Sequence, residues 1–96
     1  MAETGFEWDQ AKDLLNQEKH GVSFAEAKRA FADPRRVILE DLTHDRSEPR
    51  YYCIGSVERW ILTVRFTYRA EVIRIFGAGF WRKGRAIYER QSQIHE

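Results

Sequence analysis

Along residues 60–69, large apolar or aromatic side chains fill every even position: Trp60, Leu62, Val64, Phe66 and Tyr68. The odd positions include Thr63, Arg65, Thr67 and Arg69. Successive strand side chains point to opposite faces, so the alternation predicts a strand with one buried and one cationic face. In that register Trp60 and Tyr68 are expected in the core. Arg74 interrupts a second apolar run, Val72-Ile73-Arg74-Ile75-Phe76, and Arg50 precedes an earlier one at Tyr51-Tyr52-Cys53-Ile54. Period-two patterning predicts strands at 36–42, 50–57, 60–68 and 72–78. The connections at Glu58-Arg59 and Arg69-Ala70-Glu71 are short enough to force antiparallel hairpins.

The first third of the chain has helical spacing instead. Asp9 is a candidate N-cap for a helix whose Ala11, Leu14 and Leu15 share a face. Gly21 is its expected stop, with Lys19 and His20 in the last turn, where cations suit the helix dipole. Ser23-Phe24-Ala25-Glu26 reads as a capping box opening a second helix that carries Ala27, Ala30 and Phe31. Pro34 ends it by disfavouring helical geometry at Asp33. A charged loop, 43–49, follows the first strand, and a last helix is expected over about 82–94, weakened by Gly84. The prediction is an α+β fold: two N-terminal helices, a four-stranded antiparallel sheet and a C-terminal helix, with helices covering at least one sheet face.

The chain has 96 residues, which is one domain's worth, residues 1–96. Its net charge of +1 hides an asymmetry. Residues 1–49 hold 7 Lys and Arg against 11 Asp and Glu, whereas residues 50–96 hold 9 against 4. Either the second half meets an anionic partner or the two halves neutralise each other in the fold. Cys53 is the single cysteine, so no internal disulfide forms and a reducing compartment is expected. It is read as a buried, inert thiol. No apolar stretch approaches the ~18 residues of a membrane span, and the expected setting is soluble and cytoplasmic, with no membrane partner.

Guanidinium groups gathered on one sheet face repel one another unless partnered, and phosphate suits their geometry best. Arg69 and Arg74 are the first candidates to clamp a phosphate, with Arg50, Arg65 and Arg82 behind them. The alternative is pairing with a carboxylate such as Glu48 or Glu71. His20 is a candidate general acid or base, since imidazole titrates near neutral pH; it is equally placed to be a helix-terminal cation. Lys19 is a candidate for phosphate contact or leaving-group stabilisation. Trp81, flanked by Arg82-Lys83, is the better candidate for stacking on an RNA base. His44 and His95 lack partners at ligand spacing, so no metal site and no cofactor are expected.

Taken together, Phe6-Glu7-Trp8-Asp9, Lys12, Asn16, Lys19-His20-Gly21-Val22-Ser23-Phe24-Ala25-Glu26-Ala27, Phe31, Asp33-Pro34 and Ile73-Arg74-Ile75 resemble the BrnT toxins in kind and order. Glu48, Arg50, Ile54-Gly55, Thr67-Tyr68-Arg69 and Tyr88-Glu89 extend the resemblance over roughly residues 6–89. The resemblance implies a RelE-like fold and a small ribonuclease that blocks translation. It also implies neutralisation by a ribbon-helix-helix antitoxin, BrnA, through which alone operator DNA is bound. One position departs from that pattern: Gly79 stands where the family usually places an arginine thought to help the chemistry. Arg85-Ala86 likewise stand where a Glu-Arg pair is common, and Arg82 or Lys83 lies near enough to supply a replacement charge.

Two functions follow. The first is a metal-independent endoribonuclease toxin using Arg69, Arg74, His20 and Lys19, with Arg50, Arg65, Arg82 and Trp81 holding RNA. The rival is a catalytically silent domain that binds the antitoxin and acts in operon repression.

Overall fold

The structure, a computed structural model, describes residues 5–43 and 48–94. Most of the loop expected at 43–49, His44 included, lies outside those residues, as does His95. The elements run β1 (Gly5–Trp8), α1 (Gln10–His20), α2 (Phe24–Ala27), a 3-10 helix (Lys28–Ala32), β2 (Val37–Asp41), β3 (Arg50–Val57), β4 (Trp60–Arg69), β5 (Val72–Gly79) and α3 (Arg82–Ile94). The strands form one five-stranded sheet in the order β1-β5-β4-β3-β2.

The α+β class holds, but the sheet is mixed rather than four-stranded and antiparallel. Strand β1 adds a fifth member, pairing in parallel with β5 from Gly5↔Val72 to Trp8↔Ile75. The other three pairings are antiparallel. The hairpins fall at Glu58 and Ala70, each with positive φ (60° and 57°).

Local chemistry sets the helix ends as expected. Asp9 Oδ1 accepts from the amides of Ala11 (2.8 Å) and Lys12 (3.1 Å), and Gly21 closes α1 at φ 71°. Ser23 Oγ accepts from the Glu26 amide while Glu26 Oε1 accepts from the Ser23 amide, both at 3.0 Å. The second helix, however, lasts one turn before tightening into the 3-10 helix. That segment lies hard against β3: a Cβ on Gly55 would sit 2.4 Å from the Ala30 carbonyl oxygen. Glycine at 55 is what permits the approach.

Phe24, Ala27 and Ala30 cover one sheet face, packing on Cys53, Leu62, Val64, Phe66, Ile73 and Ile75. Burial pushes the Cys53 thiol up to about 12, as an inert core thiol requires. Trp60 and Tyr68 share the inward register but lie at the strand ends, 61% and 50% exposed. They are not core residues, because the covering helices do not reach them.

Helix α1 also differs from the expected amphipathic reading. Leu14 and Leu15 are more than half exposed, whereas Asp13 and Asn16 are buried. The reason is what α1 packs on. Beyond β1 the edge of β5 carries unpaired peptide groups, and polar side chains satisfy them. Asn16 meets Ala78 at that edge, while Asp13 Oδ1 accepts from the Phe24 amide at the start of α2 at 2.8 Å.

The second face is only half open. Helix α3 crosses it near Thr63, where Gly84 approaches so closely that a Cβ would lie 1.9 Å from Thr63 Oγ1. Tyr88 anchors α3 by donating to Asp33 Oδ2, which also accepts from the Ser56 amide at 2.7 Å. Thr67 is buried as well, its hydroxyl donating to the Pro49 carbonyl.

Candidate active site

What remains of that face is a shallow cleft where the last turns of α1 meet the middle of β4 and β5. It has a volume of about 220 Å³ and is lined by Lys12, Lys19, His20, Arg65, Phe76 and Trp81, together with Leu15, Asn16 and Gly77. Lys12, Leu15, Asn16 and Lys19 recur at helical spacing, which puts them on one side of α1. Asn16 fixes that side against the sheet. Its Nδ2 donates to the carbonyls of Val22 and Ala78, both at 2.9 Å, and its Oδ1 accepts from the Ala78 amide at 3.2 Å. The inward asparagine thereby sets where the lysines stand.

On the sheet side a bulge does the positioning. Phe66 pairs with Ile75 and Arg65 with Gly77, leaving Phe76 as the extra residue. Its ring carries the Arg50 guanidinium at 4.2 Å and that of Arg65 at 5.3 Å. Across the cleft the His20 and Trp81 rings meet edge to face at 5.4 Å. Lys12, Lys19 and Arg65 make no ion pair among the described residues. Three cations and an imidazole thus line one concave surface that contains no carboxylate among the described residues.

The first-ranked arginines are placed otherwise. Arg69 Nε donates to Glu48 Oε2 at 2.9 Å, the pairing anticipated as its alternative role. The Arg69 guanidinium in turn holds the Glu48 carboxyl below its ordinary range. Arg74 pairs with Glu7 at 2.9 Å, across the β1–β5 register that the sequence reading lacked. Both arginines share the face of Arg65 but lie toward its far end, outside the cleft lining.

Arg82 is exposed at the start of α3, where it lines a second hollow beside Trp81. The structure therefore gathers Lys19, His20, Arg65 and Trp81 from the candidate set, brings Arg50 alongside through Phe76, and leaves Arg69, Arg74 and Arg82 apart. Lys12 and Phe76 belong to the site and were not singled out for it. The lysine was legible in its seven-residue spacing to Lys19; the phenylalanine was not, because it depends on the bulge.

Gly79 ends β5 beneath the Trp81 indole, where a Cβ would lie 2.9 Å from Cε2 and Cζ2. The tryptophan ring takes the space into which a side chain at 79 would project. Among the described residues no group of three His, Cys, Asp or Glu is arranged to hold a metal ion. No helix among them is long and apolar enough to cross a membrane.

The cleft suits a phosphate: basic side chains carried on two elements, an imidazole and flanking aromatics. A family model described as ribonuclease toxin, BrnT, of type II toxin-antitoxin system matches residues 8–84. The chain belongs to that family of ribonuclease toxins. No curated protein matches it. A type II toxin implies an RNA target and an antitoxin partner.

Proposed function

We propose that the chain is a metal-independent endoribonuclease of RelE-like architecture, acting in the cytoplasm to block translation. Its neutralising partner is a BrnA-type ribbon-helix-helix antitoxin, through which operator DNA is reached. The observation that carries the reading is the convergence of Lys12, Lys19, His20 and Arg65 on one cleft.

In this reading the substrate's 2′-hydroxyl oxygen attacks the adjacent phosphorus and the bond to the 5′-oxygen breaks. The products are a 2′,3′-cyclic phosphate and a 5′-hydroxyl. One proton leaves the 2′-oxygen and one reaches the 5′-oxygen. His20 is assigned to proton exchange, worth about 10²–10⁴-fold for a positioned group. Arg65 and Lys19 hold the phosphorane oxygens, where charge accumulates, and Lys12 and Arg50 hold neighbouring phosphates. Arg69 and Arg74 act on RNA only by exchanging Glu48 and Glu7 for phosphate.

The test is incubation of the purified protein with a structured RNA in EDTA, beside a Lys19→Ala/Arg65→Ala variant of matched fold. Cleavage by the parent alone, leaving cyclic phosphate ends, is expected. Equal cleavage by both would place the chemistry elsewhere. No cleavage by either, with both folded, would favour the silent antitoxin-binding domain to which Gly79 points.

A further inference from the structure

Trp60 and Phe80 are 61% and 49% exposed, although both are large aromatics, one opening β4 and the other just past the end of β5. Their rings meet edge to face at 6.0 Å. With Ile61, Trp81, Arg82 and Arg85 they line a hollow of about 540 Å³. Three aromatic rings beside two arginines make a combination that a monomer keeps in water only at a cost in apolar hydration. Among the described residues this lining contains no carboxylate. Arg85 forms an exposed ion pair with Glu89, one turn on, at 3.2 Å, a contact that water and phosphate displace readily.

The hollow adjoins the cleft at one residue. Trp81 lines both, and its ring meets His20 on the cleft side. Trp81 is thus shared by the Lys19–His20–Arg65 cluster and by the Trp60–Phe80 pair with its two arginines.

We propose that this aromatic shelf is an RNA subsite: an unpaired base of the strand flanking the scissile phosphate stacks on Trp60 and Phe80, and Arg82 and Arg85 hold the adjoining backbone phosphates. The occupant is single-stranded RNA rather than a protein segment, because the shelf shares Trp81 with the cleft proposed to bind phosphate and is bordered by Arg82 and Arg85. Stacking is tolerant of sequence because every base has a π-face. The shelf therefore extends the footprint and selects unpaired RNA without reading a particular base. The inference rests on the proposed nuclease reading of the cleft.

The experiment is a binding cycle with a short labelled 2′-O-methyl oligonucleotide, which cannot be cleaved, and its counterpart carrying abasic positions. Binding to the wild type and to Trp60→Ala/Phe80→Ala is followed by anisotropy. The wild type should prefer the base-containing strand by roughly 5-fold or more, and the double variant should lose that preference. Trp60→Phe, which keeps an aromatic plane at an exposed position, should retain most of it.

Equal affinity of wild type and double variant for the intact strand would overturn the shelf. So would loss of antitoxin binding with RNA binding intact, which would assign the surface to the protein partner. Cleavage by the wild type without abasic discrimination sinks the shelf and leaves the nuclease standing. Abasic discrimination without cleavage sinks the nuclease and keeps the shelf.

Discussion

Asn16 of α1 completes the backbone of Ala78 on β5 as a neighbouring strand would, accepting from its amide at 3.2 Å and donating to its carbonyl at 2.9 Å. Asn16→Ala takes this partner from both groups of Ala78 and from the Val22 carbonyl. It should cost about 2–4 kcal/mol, from the usual penalty per unsatisfied buried group. Because the same side chain seats α1, cleavage should fall further than stability accounts for. Asn16→Asp keeps the acceptor but loses the donor and should be intermediate or worse. Urea unfolding of the two variants decides it; a midpoint for Asn16→Ala equal to the wild type's would refute the role.

Gly84 and Thr63 set the closeness of α3 to the sheet. An alanine in a helix is ordinarily better than glycine by about 1 kcal/mol, but here its Cβ would fall 1.9 Å from Thr63 Oγ1. Gly84→Ala should destabilise by about 1–3 kcal/mol, as overpacking does. Thr63→Ala removes the obstructing hydroxyl, so the double variant should recover much of the loss. Additive losses in thermal unfolding would show that the two residues do not meet.

What the sequence made legible was local. The Asp9 cap, the Ser23–Glu26 box, the Gly21 stop and the two hairpins each depend on a few neighbouring residues, and each is present. Strand β1 was missed because four residues offer two turns of alternation, Phe6 and Trp8, and the partner Arg74 lies 67 residues from Glu7. The inner face of α1 was misread for a related reason. An apolar stripe is the usual sign of a buried helix face, but the surface that α1 covers is an open strand edge, which requires an amide. The candidate site followed the same division. Arg65 was visible as a cation on β4, while its meeting with Lys19 and His20 depends on where α1 docks.

Asp33 and Tyr88 tie the end of the 3-10 helix to α3, and both ends of the pH range should show it. Burial would raise the Asp33 carboxyl, but hydrogen bonds from Tyr88, Ser56 and Arg35 together hold it below its ordinary value. A depressed carboxyl contributes stability that is complete above the ordinary aspartate value of about 4 and lost as pH falls through the folded value. Burial and the Asp33 carboxylate push the Tyr88 phenol up to about 12. The folded state keeps the neutral phenol, so this contribution is complete below about pH 10 and declines as pH rises toward the folded value. Tyr88→Phe should cost about 1–2 kcal/mol near neutrality and should flatten the alkaline decline. An unchanged alkaline limb in stability-versus-pH curves would rule out Tyr88 as its source.

The arginines should separate by activity rather than by charge. Arg65→Ala should lower kcat/KM about 10²-fold or more, as loss of one fixed transition-state donor does. Arg69→Ala, which removes an exposed pairing with Glu48, should leave the unfolding midpoint near that of the wild type and reduce cleavage far less. Gly79→Arg adds a cation near the cleft but forces the Trp81 indole away, since a Cβ there would lie 2.9 Å from the ring. On its own it should therefore not raise activity. Combined with Trp81→Ala, which vacates that space, the arginine at 79 should cleave faster than Trp81→Ala alone. A four-variant kcat/KM cycle on one RNA measures the coupling. If Gly79→Arg by itself outperforms the wild type, then the tryptophan and an arginine fit together, and the indole does not stand in the way of the missing charge.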